Sequence, residues 1–253
     1  LKDTFLVPGK PQYLGATIMF NAQCYDAWGN LSSAMKSNKP TREPEEFLGD
    51  DEEATRTFVM GMHQRAMGVA RMLVNMVELS TQKKMLDIGG GPATYSRLLL
   101  EKFPDLHSTV MDLPGVLNVA KEISADSPAL SRLSFLEGNL FTDDFGTGFD
   151  TVLISGVLHR TEGEQTLDIL KKIASCLEPG GKLMVSDLFT KADTKGPVLP
   201  ELFSLHMMLT ADSGQSLPMP QFKQQLETAG FKVLDTVHYP APLPHCLIIA
   251  EKS

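Results

Sequence analysis

The segment Met85-Leu86-Asp87-Ile88-Gly89-Gly90-Gly91-Pro92-Ala93-Thr94 sets an apolar run directly before three glycines and a helix-competent stretch. Glycines let a backbone turn tightly and come close to a ligand, as nucleotide-binding βαβ units require. A second acid, Asp112, lies 21 residues beyond Gly91, where a carboxylate can accept both hydroxyls of a ribose. That combination suits a dinucleotide equally well. Thr94, however, stands where the third glycine of a dinucleotide loop would be, and Asp87 lies two residues before Gly89. A carboxylate at Asp87 would repel a pyrophosphate and favour a ligand carrying an ammonium group.

The elements that must position these residues can be read from the apolar rhythm. From residue 84 the pattern alternates strand and helix, which implies a parallel sheet covered on both faces. Strands are expected near Met85–Ile88, Thr109–Asp112, Leu133–Glu137, Asp150–Ser155, Lys182–Asp187, Lys232–Val237 and Cys246–Ala250. Helices are expected at Thr94–Lys102, Val116–Ser124, Glu164–Leu177 and Pro220–Ala229. Only a Pro-rich turn (Pro240, Pro242, Pro244) separates the last two strands, too short for a crossover, so they should pair antiparallel. Residues 1–49 read as turns and short helices without a core of their own. Asp50, with Glu53 three residues on, predicts the start of a long helix running to about Leu79, with Phe58, Met62, Val69, Met72 and Met76 at helical spacings.

Composition narrows the classes of function. The chain has 253 residues, 23 Lys and Arg against 31 Asp and Glu, and a net charge of −8, which argues against attraction to nucleic acid or anionic lipid. Cys24, Cys176 and Cys246 have no C-x-x-C spacing, so neither a disulfide framework nor a metal site is expected. No apolar run is long enough to span a membrane and no signal-peptide pattern opens the chain. A cytoplasmic protein acting on a small molecule is the expectation. The 13 methionines against one tryptophan are unusual.

Asp87, the glycine loop, Asp112 and the Leu177-Glu178-Pro179-Gly180-Gly181-Lys182-Leu183 turn together resemble class I S-adenosylmethionine-dependent methyltransferases. The resemblance implies an α/β, Rossmann-like sheet of seven strands, six parallel and one antiparallel, with an N-terminal helical segment. Tyr25-x-x-Trp28-x-x-Leu31, Asp112-Leu113-Pro114, Gly138-Asn139-Leu140-Phe141, Val157-Leu158-His159 and Ala229-Gly230-Phe231 narrow it to the small-molecule O-methyltransferases of the caffeate and hydroxyindole type. On that pattern residues 1–79 would be a linker and helical segment contributing to the substrate pocket, and 80–253 the S-adenosylmethionine-binding domain. The family usually carries a further N-terminal helical domain of about 100 residues that dimerises. A chain opening at Leu1 on turn-rich sequence is therefore expected to be a catalytic portion, homodimeric through a missing domain.

The resemblance also implies roles. His159 would be the general base and Asp187 the carboxylate that orients it. Asp87, Gly89, Gly91, Asp112, Leu113, Asn139, Leu140 and Ser155 would hold S-adenosylmethionine, with Asn139 standing where the family usually has aspartate and Ser155 where it often has lysine. Phe58 and Met62 on one helix, and Phe203 and Met207 on another, would line the acceptor pocket, and Met60, Met67, Met72, Met76 and Met208 would simply pack. The chemistry agrees with a histidine base, since a phenolic hydroxyl of pKa about 10 attacks poorly until its proton is removed. Departures fall on the acceptor side: His159-Arg160-Thr161 replaces His-Asp-Trp, and Ser216-Leu217-Pro218 replaces a segment that usually supplies another carboxylate. These leave methylation at carbon or another cofactor-retaining reaction on the same fold, or a cofactor-binding homologue without catalysis, as alternatives to O-methylation.

Overall fold

The structure, a computed structural model, describes residues 1–8, 10, 13–41, 51–191, 196–211 and 214–253. The strands are β1 (Lys84–Ile88), β2 (His107–Asp112), β3 (Leu133–Glu137), β4 (Phe149–Ser155), β5 (Leu177–Thr190), β6 (Leu217–Pro218), β7 (Phe231–His238) and β8 (His245–Lys252). The main sheet has the order β3-β2-β1-β4-β5-β8-β7. Every pairing in it is parallel except those made by β8, which runs against both β5 and β7. The expected sheet of six parallel strands and one reversed strand is therefore present. The two-residue β6, which has no sequence signature at that length, adds a short parallel pairing to the end of β5. Strand β5 also begins at Leu177 rather than Lys182, because its first residue pairs with Phe149 across an irregular register.

Side-chain alternation along the strands divides the core in two. Leu86 and Ile88 of β1, Val152 and Ile154 of β4, and Leu183 and Val185 of β5 meet the helices Gly163–Cys176 and Met219–Thr228. Met85, Leu153, Met184 and Leu247 point the other way, toward Leu99 and Leu100 of the helix Thr94–Lys102 and toward Val69 and Leu73 of the long helix. Asp87 shares the parity of Met85 and is 1% exposed, an acid set into an apolar layer.

The long helix spans Glu52–Met76, and the Asp51 carboxylate accepts the Ala54 N–H at 2.9 Å. Asp51 is thus the cap, one residue later than anticipated; Asp50 lies outside the described residues. Leu73 takes the inward position four residues beyond Val69, which leaves Met72 on the surface rather than packed. Short helices at Gly15–Gln23, Tyr25–Gly29 and Leu31–Ser37 lead into this helix. Thr17 Oγ1 donates to the Gly61 carbonyl and Gln64 accepts the Ala16 N–H, tying these segments together. All three cysteines are buried and free. Among the described residues no helix is long and apolar enough to cross a membrane.

Leu73 is fully buried between the long helix and the sheet. Leu73→Ala is expected to remove about 2–5 kcal/mol of stability, read as a lower urea midpoint with an unchanged slope.

Candidate active site

The chain runs outward from β1 through β2 to β3 and then returns to place β4 on the other side of β1. Loops leaving the carboxyl ends of β1 and β4 therefore diverge, and an open α/β sheet binds ligands in such a crevice. A cavity of about 350 Å³ lies there. Every residue anticipated from sequence as catalytic, donor-binding or acceptor-binding borders it: Asp87 in β1 with Gly89 and Gly91 after it; Asp112 ending β2 with Leu113 after it; Asn139 and Leu140 after β3; Ser155 ending β4 with His159 after it; Asp187 in β5; and Phe58, Met62, Phe203 and Met207 on two helices.

The glycine loop is shaped by conformation and by space. Gly89 and Gly91 have φ of +62° and +53°, a region that L side chains adopt at a cost. A Cβ on Gly89 would sit 2.6 Å from Val157 Cγ2, and one on Gly90 would sit 2.8 Å from the Asp87 carboxyl carbon. Gly90, not singled out from sequence, is thus needed for room. Beneath the loop, Ser96 donates to Asp87 Oδ2 at 2.6 Å and bonds Ser108 at 2.8 Å. Asp87 Oδ1 has no partner although it is buried. Burial, followed by the Asp112 charge, pushes the Asp87 pKa up to about 7 against the help of Ser96. An ammonium group brought to that bare oxygen would restore the ionised form.

Asp112 is held from behind: Gly91 N–H donates to Oδ2 and Leu113 N–H to Oδ1, both at 2.8 Å. Two backbone donors fix the carboxylate while each oxygen keeps acceptor capacity for a ribose. Burial raises its pKa, opposed by those bonds and by Arg160. Asn139 Oδ1 accepts the Phe141 N–H, and Asp143 accepts the Asn139 N–H, each at 2.8 Å. The Asn139 side-chain oxygen is thus already shared with the turn. Ser155 offers a hydrogen bond to Tyr95, a pocket residue whose pKa burial pushes up to about 12.

On the opposite side, His159 Nδ1 lies 2.9 Å from Asp187 Oδ1, which also accepts the Leu188 N–H at 2.8 Å. Asp187 is 2% exposed and the His159 side chain 12%. With Nδ1–H donating to the carboxylate, Nε2 is the nitrogen left with a lone pair. Phe203 stands edge-on to the imidazole at 4.7 Å between centroids and 90°. Phe58 meets Phe20 edge-on at 5.3 Å. Ser216, at the departure from the resembling pattern, donates its hydroxyl to the Pro200 carbonyl at 2.6 Å.

Sequence reasoning passed over Arg65, Tyr95, His206 and His245, which also border the cavity. Arg65 was detectable as a cation on the apolar stripe Phe58, Met62, Val69. His206 is three residues beyond Phe203 on one helical face, stacked on Trp28 at 6.2 Å and 8°. Burial pushes His206 and His245 down to about 4, so both are neutral near pH 7. Nothing in the sequence near His245 distinguishes it; the antiparallel return of β8 alone sets it opposite Leu188.

The profile of the O-methyltransferase domain family matches residues 41–232, and the chain is 30% identical to 3-hydroxy-5-methyl-1-naphthoate 3-O-methyltransferase of Streptomyces sahachiroi over 98% of its own length and 73% of that enzyme. The chain belongs to the O-methyltransferase family. Family members do not all methylate oxygen: an L-tyrosine C(3)-methyltransferase of Streptomyces lavendulae is 25% identical over 90% of this chain and 66% of that one. The fold also matches human N-acetylserotonin methyltransferase in complex with SAM, with a TM-score of 0.87, 24% identity, and coverage of 100% of this chain and 74% of that one. The chain spans roughly two thirds to three quarters of the length of these relatives.

The electrostatics of Asp87 make a prediction for this O-methyltransferase-family chain. An unfolded chain releases the Asp87 proton near 3.8, the folded one only near 7, so its stabilising contribution is complete below the first value and lost as pH rises through the second. Asp87→Asn is expected to flatten that loss and to raise ligand-free stability at pH 8 by on the order of 1–4 kcal/mol, measured as unfolding free energy against pH. The same variant should bind an ammonium-bearing nucleoside more weakly.

Proposed function

We propose that the protein transfers the methyl group of S-adenosylmethionine to a hydroxyl of a small aromatic or polyketide-like acceptor, with His159 as general base. The observation that carries this reading is the His159–Asp187 pair: Nδ1 is committed to a buried carboxylate, and Nε2 remains to take a proton inside a cavity walled by aromatic and thioether side chains.

The donor half of the cavity fits S-adenosylmethionine group by group. The unpartnered Asp87 Oδ1 suits its ammonium, the glycine loop allows close backbone approach, and the braced Asp112 carboxylate suits ribose hydroxyls. When bound, the sulfonium supplies an electrophilic methyl. His159 removes the acceptor's proton as the oxygen attacks, and Asp187 stabilises the imidazolium that results. Phe58, Met62, Phe203 and Met207 exclude water and hold a flat acceptor, the thioethers adapting to its outline. The hydroxynaphthoate methylated by the 30% identical relative is an acceptor of this class.

His159→Ala is expected to lower methyl transfer to phenolic acceptors by about 10²-fold or more while S-adenosylhomocysteine still binds, as followed by calorimetry. Asp187→Asn should lower turnover through the wrong imidazole tautomer, again with binding retained. Turnover by His159→Ala at the wild-type rate contradicts the base assignment, and NMR of the product separates an O-methyl ether from methylation at carbon.

A further inference from the structure

The acceptor wall carries a charge that the reaction as derived does not use. Arg65 borders the cavity on the helix face that carries Phe58, Met62 and Val69. Its guanidinium carbon lies 5.8 Å from the centre of the Phe203 ring. The other edge of that neighbourhood is His159, 4.7 Å from the same ring centre. Guanidinium and imidazole are therefore separated by at most the sum of these two spans, close enough for one small aromatic acceptor to touch both.

Among the described residues Arg65 makes no hydrogen bond and no ion pair. Arg65 is an exposed residue at the cavity; the protein around its head lowers its pKa, with Tyr95 and Asp187 opposing that shift. Asp187 acts on Arg65 through its charge but forms no ion pair with it, and its Oδ1 takes the His159 ring and the Leu188 N–H. The neighbouring His206 is neutral, its pKa pushed down to about 4 by burial and by Arg65 itself. The pocket's other arginine, Arg160, acts on Asp112 at the donor end. Arg65 is exposed where it borders the cavity, its five donors are taken by no described protein group, and its planar fork matches a carboxylate in two parallel hydrogen bonds.

We infer that the acceptor is a hydroxy-arene carboxylate, its hydroxyl at His159 and its carboxylate held by Arg65. This rests on the proposed O-methyl transfer and specifies the acceptor for the same site. Arg65 is a specificity residue: it grips the end of the acceptor remote from the reacting oxygen, so its loss weakens ground state and transition state alike and appears in KM more than in kcat.

The test uses the intact chain with S-adenosylhomocysteine bound and titrates 3-hydroxybenzoate, 4-hydroxybenzoate and 3-hydroxy-1-naphthoate against their methyl esters, which keep ring and hydroxyl but lose the charge. Wild-type protein is expected to bind at least one acid about 10-fold or more tightly than its ester. In Arg65→Gln that ratio should fall to near one, and in Arg65→Lys it should recover in part, since charge returns without the fork. Thermal unfolding of both variants verifies that they fold, and the wild-type ratio depends on neither. Absence of any preference in the wild type, or an acid-to-ester ratio that Arg65→Gln leaves unchanged, overturns the inference. Because binding is read without turnover, a retained acid preference with wild-type turnover in His159→Ala would reject the base assignment and leave Arg65 in place. Loss of turnover in His159→Ala with no acid preference would do the reverse.

Discussion

The reversal of chain path between β1 and β4 is the constraint from which the site follows. Because β2 and β3 are laid down on one side of β1 and β4 on the other, the loops at their carboxyl ends part and cannot fill the space between them. The glycine loop, the Asp112 end of β2 and the His159 segment after β4 all open onto that gap, and β5 brings Asp187 alongside. Residues 72 positions apart in the chain, Asp87 and His159, thus come to border one cavity. The gap is a property of the topology; its chemistry is a property of the few residues at its rim.

Charge within the cavity is arranged in two separate accounts. At the donor end Asp87 and Asp112 are both disfavoured as anions by burial, one left with a bare oxygen and the other braced by two backbone N–H groups. That state is uncomfortable without a ligand, which is the condition under which a cationic nucleoside gains most from binding. At the other end Asp187 Oδ1 accepts from the His159 ring and the Leu188 N–H, an arrangement that under the proposed function fixes the imidazole tautomer. His206 and His245, their pKa values pushed down by burial, stand neutral in the same region near pH 7.

The N-terminal helices supply the cavity with a roof. Phe20 and Cys24 reach its lining, Trp28 stacks on His206, and Thr41 donates its N–H to the Leu209 carbonyl at 3.0 Å. These contacts hold the helix Val198–Thr210, which carries Phe203 and Met207, against the segment that precedes the long helix. This wall of the cavity is therefore assembled from both ends of the chain, and the methionines divide accordingly: Met62 and Met207 border the cavity while Met85 and Met184 pack under the sheet.

The sequence by itself determined the alternating α/β order, the reversed final hairpin, the glycine loop and the acids at strand ends, because each of these is a local matter of period, turn residue and spacing. It put Asp87, Asp112, His159 and Asp187 near the carboxyl ends of strands for the same reason: they lie within four residues of a strand end that periodicity locates. Only the tertiary structure decided which polar atoms are already partnered. Asp87 Oδ1 is bare while Asn139 Oδ1 is shared with Phe141, and Ser216 turns to Pro200. It alone showed that Arg65 and His159 both meet the Phe203 ring, and that His245 stands beside the pocket. Partnership and desolvation depend on atoms brought together from distant parts of the chain, and no pattern of neighbours along the sequence records them.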